Sequence, residues 1–209
     1  MKLKFIISKK LDKEYAQDKK IRQYIDEQYK SSSKYLKLTR DLYQKSWDEI
    51  NDEFSKYIAK TTGHEWSFKN YKCVVSTYHI GISDWHGTAT IVRSWKENPY
   101  YMRRITAHEL ILSHYFEIIK RNYDKEGLKD GQIWALAEIA AFALTSLDPT
   151  VTKFWPWKTE YYTNHNYPWI VDIQNKLKDA FLKRKNFDEY IMEGISLVKK
   201  YPNMNPFGK

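Results

Sequence analysis

Two adjacent residues in the middle of the chain have the types needed for metal-assisted hydrolysis. They lie in Ile105-Thr106-Ala107-His108-Glu109-Leu110-Ile111-Leu112-Ser113-His114-Tyr115-Phe116. A helical histidine can hold zinc, and the glutamate after it can take a proton from a metal-bound water, as in the H-E-x-x-H pattern. That pattern requires a second imidazole four residues on, about 40° away around the helix. Here that position is Leu112. His114 is six residues on and about 240° around, so it faces elsewhere. One π-bulge would shift the register by a single residue, not two. His114 therefore does not supply the missing ligand.

The stripe Ile105, His108, Leu112, Phe116 and Ile119 recurs at helical spacing, which places His108 on an apolar, core-facing side. A histidine there is either a ligand or a hydrogen-bonded core residue. A second unusual group follows in Gln132 to Leu147, where Glu138 stands among Ala135, Leu136, Ala137, Ile139, Ala140 and Ala141. An unpaired buried carboxylate is costly or becomes neutral. Glu138 therefore needs a partner, either a metal ion or a buried Tyr, Trp or His.

The elements that must position these groups can be read from periodicity. Lys2 to Ser8 alternates as a short strand, and Leu11 to Lys30 carries Ile21, Tyr24, Ile25 and Tyr29 on a helical face. After a break at Ser31-Ser32-Ser33, one longer helix is expected to carry Tyr43, Trp47, Ile50, Phe54 and Ile58. Tyr71 to Tyr78 and Thr88 to Trp95 read as strands, an antiparallel pair around the turn at Ser83-Asp84-Trp85-His86-Gly87. Asn98-Pro99 announces the His108 helix, about Tyr100 to Tyr123. The aromatic stretch from Phe154 to Trp169 reads as an irregular loop that either packs over a cleft or, the favoured reading, caps the core, before closing helices at about Trp169 to Lys185 and Phe187 to Tyr201.

Composition narrows the classes. Of 209 residues, 42% are hydrophobic and 16% aromatic, enough for a packed core, and seven Gly and six Pro favour helices over a loop-rich sandwich. Cys73 is the sole cysteine, which excludes an internal disulfide and a thiolate zinc cluster. The first residues are too short an apolar run for a signal peptide, and no stretch approaches a membrane span. A cytoplasmic protein without a membrane partner is expected. The net charge of +9 is spread among acids and forms no basic stripe, so no sequence-specific nucleic-acid partner is expected.

A strand pair, a helix with His108-Glu109 and a following helix with Glu138 together resemble the zincin metallopeptidases of the gluzincin type. The resemblance covers roughly Tyr71 to Leu147. It implies an α+β, mainly helical fold, with a small antiparallel sheet packed on the two motif helices and further helices flanking them. One domain is expected over residues 1–209, with a helical part at 1–62, a motif-bearing core at 63–150 and C-terminal helices at 151–209. By the resemblance His108 is the first zinc ligand, Glu109 the general base and Glu138 the third ligand. An edge strand within Thr88 to Trp95 would pair with extended peptide substrates. Leu112 breaks the ligand set, and His79, His86 and His165 are the other histidines that a loop could bring in. Two functions follow: a zinc-dependent peptide hydrolase with a substitute ligand, or a metal-free zincin-fold protein that binds peptide or protein. Zinc in the wild type is expected to be weak or absent.

Overall fold

The computed structural model describes residues 1–84, 87–156 and 168–202. The chain divides into two compact units, one made of Met1–Ser55 and Phe68–Leu110, the other of Lys56–Ser67 and Ile111–Lys209. The class is α+β and mainly helical, with eight α-helices and one four-stranded sheet among the described residues.

In the first unit, strand β1 (Lys2–Ile6) leads into helices α1 (Lys9–Glu14), α2 (Lys19–Ser31) and α3 (Ser33–Asp48). The sheet continues with β2 (Asn70–Ser76), β3 (Gly81–Ile82) and β4 (Thr90–Ser94), in the order β1-β2-β4-β3. β1, β2 and β4 are parallel, with Phe5 opposite Cys73 and Cys73 opposite Ile91, and only β3 is antiparallel to its neighbour.

The sheet is therefore mixed, and the expected antiparallel pairing of Tyr71–Tyr78 with Thr88–Trp95 is overturned. The physical reason is β3. After β2 the chain turns back along the sheet's edge, turns again, and runs β4 parallel to β2 in the space between them. The edge strand also moves: β4 lies inside the sheet, with Ile91 and Val92 fully buried, and the edge is Gly81–Ile82.

The core of this unit is apolar by alternation and helical period. Leu3 and Phe5 of β1 are buried under α3, where Phe5 meets Tyr43 edge-on at 5.7 Å and Trp47 meets Phe54 at 5.4 Å. The single long helix expected around Trp47 is two helices, α3 and α4 (Asn51–Thr62). They break at Glu49-Ile50, where the Ile50 N–H bonds back only three residues to the Trp47 carbonyl. Asn51 then faces back to the sheet. Its Oδ1 accepts from Trp47 Nε1 at 2.9 Å and from Leu3 N–H at 3.2 Å, and its Nδ2 donates to the Met1 carbonyl. With Gln44, which accepts from Phe5 N–H at 2.8 Å and donates to the Leu3 carbonyl, it seals the outer border of β1. The β3 border has no such cover among the described residues.

The helix α5 (Met102–Asn122) begins as the sequence predicts, with Asn98 Oδ1 accepting from Tyr100 N–H at 2.8 Å. Residues 102–110 belong to the first unit. Arg103, buried, fixes this end on α3: its Nε donates to Ser46 Oγ at 2.8 Å and its guanidinium pairs with Glu49, while Ser46 donates to the Pro99 carbonyl.

The second unit is helical. α6 (Asp130–Ser146) is buried on all sides from Ala135 to Thr145 and packs against α7 (Pro168–Lys183) and α8 (Phe187–Val198). Gln132 closes its first turn through the Lys129 N–H and donates to the Val198 carbonyl at 2.8 Å. At Gly194 of α8 a Cβ would lie 2.9 Å from a Leu136 methyl, so α6 and α8 approach closely here and a larger residue would make Leu136 shift. Much of the expected aromatic cap from Phe154 to Trp169 lies outside the described residues. Its first part is buried, with Trp155 donating to the Thr145 carbonyl at 3.2 Å. No helix among the described residues is long and apolar enough to cross a membrane.

Candidate functional site

Glu109, the candidate general base, sits against the sheet. It is 8% exposed, and its Oε1 stands 3.7 Å from Nη1 of Arg93 on β4. Arg93 is 1% exposed, although it is a charged residue inside a buried strand. Its other terminal nitrogen pairs with Glu97, just beyond β4. One buried guanidinium thus lies between two carboxylates, the buried Glu109 and the partly exposed Glu97, and such pairs are held by geometry and opposite charge.

Gly81 completes the group. A Cβ there would overlap the Glu109 carboxylate and stand 2.6 Å from Arg93 Nη1. Only glycine lets β3 approach the ion pair this closely. Ser94 N–H donates to the Ile80 carbonyl, and Ile82 lies opposite Val92. In an antiparallel ladder the hydrogen-bonded pairs alternate, so Ile80 and Ile82 bond β4 while Gly81 N–H and C=O point to the open side. Ile80 and Tyr78 beside it are 76% and 46% exposed.

Cys73, opposite Ile91 on the neighbouring strand, is fully buried. Burial pushes its thiol well above the ordinary value, so it is no nucleophile.

The other sequence-predicted residues fall as follows. His108 on α5 is half-buried. Leu112 is 2% exposed. Glu138, at 9% exposed on α6, lies in the second unit. His79 is turned to α1, its Nε2 standing 3.2 Å from the Asp12 carbonyl. His86 and His165 lie outside the described residues. Among the described residues, no group of three or more His, Cys, Asp and Glu side chains is placed to hold a metal ion.

His114 is 1% exposed and stacks on Trp66 with ring centroids 4.6 Å apart. Neither ring nitrogen has a hydrogen-bond partner among the described residues. Burial, aided by the charge of His64, lowers its pKa from 6.5 to about 3. It is a neutral ring in the core of the second unit, in agreement with its angular position on the helix.

Two groups escape a search for spaced motifs. One is Arg93 with Gly81, whose only trace in sequence is a charge inside Thr90-Ile91-Val92-Arg93-Ser94. The other is Asp12 on α1, fully buried. It accepts from Ser76 Oγ and, at 2.9 Å each, from Thr77 N–H and Thr77 Oγ1. Ser76 Oγ in turn accepts from His79 N–H at 2.8 Å. These bonds clamp α1 onto the end of β2, and every oxygen in them is occupied, so the cluster is structural.

Comparison of the chain with protein-family models, with curated proteins and with solved structures finds no match.

Proposed function

We propose that this chain is a metallopeptidase-like, zincin-type protein that works without zinc and binds extended peptide along the open border of β3. The observation that carries the reading is the Arg93–Glu109–Gly81 contact. The residue at the general-base position of the motif helix faces the edge strand, where the family's substrates lie, but a buried guanidinium neutralises it. A carboxylate held this way is engaged by its cation. It is a good brace for a strand whose outward N–H and C=O offer one step of a ladder. Peptide addition to such a border draws affinity from main-chain bonds and selectivity from pockets beside it. The β1 border, sealed by Gln44 and Asn51, offers nothing comparable.

The second reading is a zinc hydrolase with a substitute ligand, favoured by the adjacent His108-Glu109 pair on α5. The test uses unfolded casein as probe, with metal-free protein and with added zinc. Binding that slows amide exchange at Gly81, without cleavage in either state, supports the binding reading. Zinc-dependent cleavage that Glu109→Gln abolishes would replace it with the hydrolase. Absence of both binding and cleavage would remove the zincin reading altogether.

A further inference from the structure

The outward side of α3 carries an apolar seam that is exposed among the described residues. Tyr35, Leu38 and Leu42 are 60%, 55% and 43% exposed. They stand at i, i+3 and i+7 and so form one line along the helix. The opposite side is committed to the core, where Leu36, Tyr43 and Trp47 are each at most 1% exposed. Gln44 ties α3 to β1, and Ser46 ties it to Pro99, so the seam sits on a fixed support. Isolated exposed apolar residues are ordinary. Three in register on an anchored helix form the a/d line on which a second helix packs.

Width and charge identify the occupant. The three side chains span only about 60° of arc, a narrow seam, whereas a helix lying in a bilayer presents a broad apolar face. Lys34, Lys37 and Lys45 are exposed along one flank and enter no ion pair among the described residues. Of the acids on that flank, Asp41 pairs with Arg40 at 2.6 Å, and Asp48, which accepts from Gln44 at 2.8 Å, is one negative charge against the three lysines. The rim is thus positive on a chain of net charge +9. A second copy would bring the same lysines against these, which is repulsive. We propose that α3 docks an amphipathic helix of a partner protein whose flanks are acidic.

The probe is a labelled synthetic helix of about three heptads with leucine at a and d and glutamate at e and g, beside a twin with lysine at e and g. Fluorescence anisotropy of the full chain should show binding of the glutamate helix and not of the lysine helix. Leu38→Glu should weaken binding by about tenfold or more. The triple exchange Lys34→Glu, Lys37→Glu, Lys45→Glu should invert the preference. All four residues are exposed, so circular dichroism and melting should be unchanged and a loss of binding cannot come from misfolding. The proposal is overturned if neither helix binds, or if Leu38→Glu binds as well as the wild type. It is also overturned if phosphatidylserine vesicles or self-association, and not the glutamate helix, prove sensitive to Leu38→Glu.

Discussion

Replacing His114 by phenylalanine should remove an acid-labile point from the core. In the native protein the ring is neutral, because burial and the His64 charge lower its pKa from 6.5 to about 3. In the unfolded chain the same ring takes a proton below about pH 6.5. The native state therefore binds fewer protons through this interval. The stability held by the neutral ring is complete above the unfolded value and is lost as pH falls toward 3. At about 1.4 kcal/mol per unit the full loss is on the order of 5 kcal/mol, and roughly 2 kcal/mol is already gone at pH 5. Phenylalanine keeps the stack on Trp66 and removes two buried nitrogens without described partners. At pH 8 it should raise stability by about 1–3 kcal/mol. The assay is urea unfolding of both proteins at pH 8 and pH 5. Carboxylate titration is common to the two, so the difference between their losses isolates His114. If both lose the same stability between the two pH values, the ring is not held neutral in the core and the reasoning fails.

Three further outcomes are expected. Arg93→Met should destabilise by about 3–5 kcal/mol in denaturant melts, because it leaves the buried Glu109 carboxylate without this cation; adding Glu109→Gln should recover part of that, and strict additivity would deny the coupling. Gly81→Ala should cost about 1–3 kcal/mol by forcing β3 off the ion pair, with faster amide exchange at Ile82 as the local signature, and unchanged exchange would contradict the close approach. Protein purified without chelators should carry well below one zinc by elemental analysis, since the second imidazole position is a buried leucine; one equivalent surviving gel filtration would show that another residue has filled it.

Legibility from sequence followed the strength of each physical signal. The long helices with one dominant period, α5 and α6, were readable almost to their ends, as was the Asn98-Pro99 entry. The break between α3 and α4 was not, because Tyr43, Trp47, Phe54 and Ile58 keep one helical phase across it. Strand direction was hidden for a different reason. Two residues, Gly81 and Ile82, suffice to make β3, and they sit in a stretch that reads as a turn. Without them the sheet closes as an antiparallel pair. With them β4 reverses. At the candidate site, sequence identified Glu109 by its neighbour His108 and marked Leu112 as the gap. It gave no hint that Arg93 would neutralise that glutamate, because a buried cation is recognisable only once its strand is known to lie inside the sheet.

The unequal borders of the sheet limit how copies of this chain can join. Continuous strand-on-strand growth, as in fibrils, needs two open borders on every subunit so that each joins a copy on either side. Here the outward amides of Leu3 and Phe5 are held by Asn51 and Gln44, and among the described residues the Gly81 side has no such cover. Pairing between two β3 borders uses up the open border of both subunits and stops at two. Gln44 and Asn51 are thus chain terminators in the polymer sense. Replacing both with leucine would strip the β1 border of the side chains that now occupy its outward amides.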